Sequence, residues 1–144
     1  MDIRQITPAF AVSPQIRPGD VAALAEAGFT AVICNRPDDE VSGEETSASV
    51  RSACEAAGMS FHMIPVSHSG PTEDLIGRQR QAIDSASGPV FAYCRSGTRS
   101  CHVWALGRAG EMSTDDIIAA GARGGYDLSP MRSTLDAVAA HRSG

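Results

Sequence analysis

Three times along the chain a short apolar or β-branched run is followed by a helix-forming stretch, and this alternation restricts the fold more than any other feature. Phe29-Thr30-Ala31-Val32-Ile33-Cys34 reads as a buried strand, Met59 to Val66 as a second, and Val90-Phe91-Ala92-Tyr93 as a third. Helical stretches run from Thr46 to Gly58, from Thr72 to about Ser85, and from Ser100 to about Ala109. Thr72 is placed as an N-cap, with Glu73 and Asp74 in the favoured first turn. Upstream, Val21, Leu24 and Ala25 fall at i, i+3 and i+4, and Gly28 closes that helix. Ile3 to Val12 reads as one or two short strands around a turn, and two further helices are expected, Thr114 to Ala122 and Pro130 to His141. Strands alternating with helices imply an α/β fold with a mainly parallel central sheet flanked by helices.

A chain of 144 residues fits one domain, 1–144, with a core that requires no staple. Its net charge is −5, from 12 basic and 17 acidic residues, and no cluster of Lys or Arg stands out, which sets nucleic-acid binding aside. No apolar window is long enough to span a membrane. Met1-Asp2-Ile3-Arg4-Gln5 does not read as a signal peptide, so reduced thiols in a cytoplasmic setting are expected. Cys34, Cys54, Cys94 and Cys101 include no C-x-x-C pair, and the histidines lack ligand spacing. No metal site is expected, and no organic cofactor, because no Gly-rich dinucleotide fingerprint is present.

Cys94 heads the connection Cys94-Arg95-Ser96-Gly97-Thr98-Arg99, between the third strand and its helix. Ligands of open α/β sheets bind beyond the carboxyl ends of strands, where helices begin. Gly97 allows the backbone to curl, the curled N–H groups form a nest for an anion, and the helix starting near Arg99 adds its positive end. Arg99 offers a planar fork of donors to an oxyanion. These positive surroundings favour the thiolate of Cys94, the reactive form of a cysteine. Cys94 and Arg99 are therefore the candidate catalytic pair, with Arg95, Ser96, Gly97, Thr98 and Ser100 as substrate-binding positions. Ser100 is placed to donate to the thiolate or to a leaving group.

The stretch Cys94 to Ser100 resembles the active-site loop of single-domain rhodaneses, which carry sulfane sulfur as a cysteine persulfide. The wider chain, from Ile6 through Tyr126, is similar to the phosphatase-like domain of the beta-lactamase-hydrolase-like proteins, a bacterial family related in fold to dual-specificity phosphatases. Val32 to Glu40, Ile64-Pro65-Val66, Gly88 to Cys94, Trp104-Ala105-Leu106 and Gly125-Tyr126-Asp127 carry that resemblance. It implies a cysteine-phosphatase-like architecture. Fused relatives pair this domain with a metallo-hydrolase resembling persulfide dioxygenases, which implies such a partner and a role in sulfide metabolism.

Two details bear on the chemistry. The phosphatase signature places five residues between cysteine and arginine, whereas here four, Arg95 to Thr98, separate Cys94 from Arg99. A shorter loop suits a sulfane sulfur or a small anion better than a phosphoryl group. Phosphatases of this fold also carry an aspartic acid on the loop after the strand ending near Val66; here that loop reads Ser67-His68-Ser69-Gly70. A positioned acid is worth roughly 10²–10⁴ in rate. Its absence favours sulfur transfer, although His68, Asp38 or Asp39 offers an alternative source of a proton. The expected function is thus sulfane-sulfur transfer through a Cys94 persulfide, with a phosphatase using a Cys94 phosphoenzyme as the alternative and a non-catalytic anion- or persulfide-sensing module as a third reading.

The remaining candidates have plain readings. Cys34 and Cys54 are small core residues, Trp104 is core, and Cys101 is either core or a resolving thiol for Cys94. His68 is a substrate contact, an acid or an exposed loop residue. Arg36 or Asp38 lines the mouth of the site, or the segment is a hydrated turn with a local ion pair.

Overall fold

A computed structural model describes residues 1–143. The chain runs β1 (Arg4–Thr7), β2 (Phe10–Ser13), α1 (Val21–Glu26), β3 (Ala31–Cys34), α2 (Ser47–Ala56), β4 (Ser60–Met63), α3 (Glu73–Asp84), β5 (Val90–Tyr93), α4 (Thr98–Arg108), α5 (Thr114–Arg123) and α6 (Arg132–Ser143). Among the described residues five strands form one sheet in the order β1-β2-β5-β3-β4. Only β1 is antiparallel to its neighbour; β2, β5, β3 and β4 are parallel. The mainly parallel α/β expectation holds.

Parallel strands need helical crossovers, which cover both faces and make the strands apolar throughout. One face carries Val12, Ile33 and Ala92 against Trp104, Ile117 and Leu135 from α4, α5 and α6. Trp104 stacks on Phe10 with ring centroids 6.0 Å apart, as its core reading requires. The other face carries Val32, Phe91 and Tyr93 against Leu24 of α1 and Val50 and Cys54 of α2. Thr72 caps α3 as expected: its hydroxyl accepts the Leu75 amide at 3.2 Å, a cap worth about 1 kcal/mol.

Several boundaries differ from the sequence expectation, the strand expected from Phe29 beginning at Ala31 among them. The strand expected over Met59–Val66 ends at Met63, because Pro65 has no N–H for a ladder; the Ile64 and Val66 amides still reach the Cys34 and Asn35 carbonyls at 2.9 and 2.8 Å. Helix α4 begins at Thr98 rather than Ser100, which places Arg99 in its first turn. The last helix opens as a 3₁₀ turn over Ser129–Met131, with Pro130 inside it, before α6 proper.

The register decides where chemistry can occur. Ser13, Tyr93, Cys34 and Met63 lie side by side at the carboxyl ends of β2, β5, β3 and β4. The connections that follow them therefore meet along one edge of the sheet.

Candidate active site

Cys94 leaves β5 directly at that edge and is fully buried. The chain then turns through Gly97, whose φ of 91° is accessible to glycine at little cost, into α4. The Gly97 amide donates to Cys94 Sγ at 3.1 Å, and its carbonyl receives the Cys101 amide at 3.0 Å, the first bond of the helix. A Cβ at Gly97 would collide with the hydroxyl and ring of Tyr126. Gly97→Ala is therefore expected to lower unfolding free energy by about 1–3 kcal/mol from backbone strain alone, measured by denaturant titration; a stability equal to wild type would contradict this account of the turn.

Among the described residues the amides of Arg95, Ser96, Arg99 and Ser100 have no backbone acceptor. These belong to the curl and first helical turn, where N–H groups form an anion-binding concavity. Thr98 is different, since its amide donates to Ser96 Oγ at 3.3 Å and the two hydroxyls bond at 3.0 Å. The Ser96 and Thr98 side chains thus engage each other on the exposed side of the loop. Arg95 is also exposed and its guanidinium forms no ion pair among the described residues. Ser100 is buried with its hydroxyl unpartnered, directly after Arg99.

Arg99 is held by groups that come from outside the loop. Its Nη1 donates to Glu40 Oε2 at 2.9 Å and to the Val66 carbonyl at 2.7 Å, and its Nη2 donates to Glu40 Oε1 at 2.7 Å. Three of five guanidinium hydrogens are so used. The two that remain, on Nε and Nη2, form one edge of the fork, the geometry that grips two oxygens of an anion. Hydrogen bonding to Glu40, and to a lesser degree the proximity of Cys94, push Arg99 above its usual value.

Glu40 is the residue that the sequence reading passed over. It appeared only as the last residue of the Val32 to Glu40 stretch that carries the family resemblance, since nothing in the spacing links position 40 to position 99. Arg99, followed by Arg36 at 3.3 Å from Oε1, holds its carboxyl down at about 2. Arg36 forms the local ion pair of the plain reading, with Glu40, although the pair is largely buried rather than hydrated; it braces Glu40 and reaches Gln15 Oε1 at 3.2 Å. Asp38 accepts the Ser47 amide and hydroxyl at 2.8 and 2.7 Å, capping the start of α2. His68 lies on the rim, with its side chain 76 % exposed and Nε2 3.7 Å from Glu40 Oε2.

Beneath the loop lies a second unforeseen group. Asn35, fully buried, donates its backbone N–H to the Tyr93 carbonyl at 2.8 Å and its side chain to Ile64 O and Gln79 Oε1 at 2.9 and 2.7 Å. Gln79 in turn donates to the Ser100 carbonyl at 3.5 Å. This polar bridge ties the ends of β3, β5 and α4 together below Cys94.

The other three thiols are buried as well. Burial pushes Cys54 up to about 11 and Cys101 to about 12, and raises Cys34 as well. All three fill core positions, which favours the core reading of Cys101 over the resolving one. Among the described residues no group of His, Cys, Asp and Glu is arranged to hold a metal, and no helix is long and apolar enough to cross a membrane.

Residues 2–111 match the family model described as beta-lactamase hydrolase-like protein, phosphatase-like domain. The beta-lactamase hydrolase-like protein of Agrobacterium fabrum is 40 % identical over 111 residues, which is 76 % of this chain and 26 % of that protein. The chain thus spans about a quarter of the length of this curated relative. Among solved structures, a candidate phosphatase of Neisseria meningitidis Z2491 superimposes with a TM-score of 0.83 at 35 % identity, covering 96 % of this chain and 99 % of that one. Tk-PTP in its active form superimposes with a TM-score of 0.76 at 15 % identity, covering 98 % and 97 %, and shares the fold. With residues 2–111 matched by that family model and a 40 % identical relative aligned over 76 % of its length, the chain belongs to the phosphatase-like domain family of the beta-lactamase hydrolase-like proteins.

Proposed function

We propose that this domain is a thiol-dependent sulfurtransferase that carries sulfane sulfur on Cys94. The observation that carries the reading is the state of Glu40. Among the described residues it is the carboxylate hydrogen-bonded to the loop arginine, and it is kept ionised by Arg99 and Arg36, so it has no proton to give. Hydrolysis of a phosphate ester releases an alkoxide that needs a proton. Sulfur transfer from thiosulfate does not. Cys94 Sγ attacks the outer sulfur, the S–S bond breaks, sulfite leaves with the electron pair, and the enzyme keeps a persulfide anion. An acceptor thiolate then attacks the terminal sulfur and releases Cys94 Sγ. The free edge of Arg99 and the loop amides hold the sulfonate oxygens during the first step.

A second reading is phosphoryl transfer through a Cys94 phosphoenzyme. The comparisons lean towards it: the family is described as phosphatase-like, and the Neisseria relative is a candidate phosphatase. His68, beside Glu40 on the rim, is the group nearest to hand for protonating a leaving oxygen. A metallo-hydrolase partner and a cytoplasmic setting belong with the sulfur-transfer reading as proposals of the same standing.

Intact mass of the reduced protein after incubation with thiosulfate separates the two. The expected result is a gain of one sulfur atom that dithiothreitol removes. No gain, together with vanadate-sensitive release of phenol from an aryl phosphate, would replace sulfur transfer with phosphatase chemistry.

A further inference from the structure

The peptide joining Ser96 to Gly97 is held at both ends. Its carbonyl accepts the Tyr126 hydroxyl at 3.0 Å, and its N–H donates to Cys94 Sγ at 3.1 Å. The bond is trans, and in a trans peptide C=O and N–H point in opposite directions within one rigid plane. Fixing the carbonyl outward therefore fixes the N–H inward. We propose that Tyr126 is a positioning residue of this site, its hydroxyl orienting the Ser96–Gly97 peptide so that the amide N–H is aimed at the Cys94 sulfur. Hydrogen bonding at the carbonyl also polarises the amide and strengthens donation at its other end.

The surroundings of Tyr126 fit such a role. The Gly124-Gly125 turn after α5 delivers the ring to the loop, and the Tyr126 amide is fixed by the Gly121 carbonyl at 2.9 Å. Arg4, from β1, lies 5.6 Å from the ring centroid and donates to the Gly124 carbonyl at 3.0 Å, pinning both ring and turn. Burial pushes the phenol up to about 12, so it remains a donor throughout the neutral range. The fit is close enough that Gly97 has room for no side chain beneath the hydroxyl. Tyr126 also lies beyond residues 2–111, the portion matched by the family model.

The role can be read from the thiol itself, without a substrate. The rate of Cys94 alkylation by iodoacetamide is measured against pH for wild type, Tyr126→Phe and Tyr126→Leu, with the labelled residue identified by peptide mass. The charged groups around the loop and the ring, Arg99 and Glu40 on one side and Arg4 and Asp2 on the other, are unchanged in all three proteins. Loss of one hydrogen bond is expected to slow labelling at neutral pH about three- to tenfold and to displace the pH–rate curve upward. In Tyr126→Phe this occurs with the melting temperature of wild type; in Tyr126→Leu it occurs together with a lower one. A Tyr126→Phe curve that coincides with wild type overturns the proposal, whatever the leucine variant does, since only ring packing would then matter. Because alkylation reports the thiol and not the transferred group, this outcome is independent of the thiosulfate experiment.

Discussion

Turnover by the Cys94→Ser variant falls by roughly 10³-fold or more, to the uncatalysed background, while the protein stays folded. A nucleophile that forms a covalent intermediate has no substitute within its site, and removing one elsewhere has cost up to about 10⁶ in kcat. Serine is close in size to cysteine and its oxygen can accept the Gly97 amide that now donates to Sγ, so the curl of the loop keeps its inner contact. The other three cysteines are buried and raised by burial, so none can take over. Steady-state transfer from thiosulfate to a thiol, with thermal unfolding run in parallel, is the measurement. Substantial residual turnover in a folded variant would place the chemistry elsewhere and end the Cys94 reading in both its forms.

The fold was open to sequence reasoning because its signals are local. β-Branched runs, the Thr72 cap and the glycines at 28 and 58 each act over a few residues, and each appears near its expected place. Boundaries moved where one residue's covalent chemistry intervened, as at Pro65. Within the site, the parts contiguous in sequence were readable: Cys94, the Gly97 turn and Arg99 occupy one connection, and their roles follow from residue type. What holds them in place comes from far along the chain. Glu40 is 59 positions from Arg99, Tyr126 is 30 from Ser96, and Asn35 is 44 from Gln79. Such pairings depend on strand order, which places the end of β3 between those of β5 and β4, and no periodicity encodes that order. Glu40 was especially hard to see. It stands beside Asp38 and Asp39 in an acidic run that reads as a solvated turn, and only register separates the member facing Arg99 from the one capping α2.

That ion pair carries the second large effect. Glu40→Gln leaves one oxygen where two now hold the guanidinium and removes the charge that draws Arg99 and Arg36 together. Arg99 keeps its bond to the Val66 carbonyl, but its free edge is no longer fixed in one orientation. A displacement on the order of 1 Å in a binding group can cost about 10²-fold, and kcat/KM for sulfur transfer is expected to drop by about 10- to 100-fold. Arg99→Lys, which replaces the fork with a point charge, produces a loss of at least that size. The two together separate positioning from direct action: if Glu40 works through Arg99, Glu40→Gln costs little more in the Arg99→Lys background, whereas additive losses would show an independent role. The pH dependence of folding supplies a check without substrate. Glu40 is held at about 2 in the folded protein, below its unfolded value. The stability it contributes is therefore complete above about pH 5 and is lost as pH falls towards 2. Glu40→Gln lacks this component, so its denaturation midpoint declines less steeply through that acid range than that of the wild type. Parallel decline in the two proteins would mean that the pair is too weak to hold Arg99 in the orientation on which the transfer step depends.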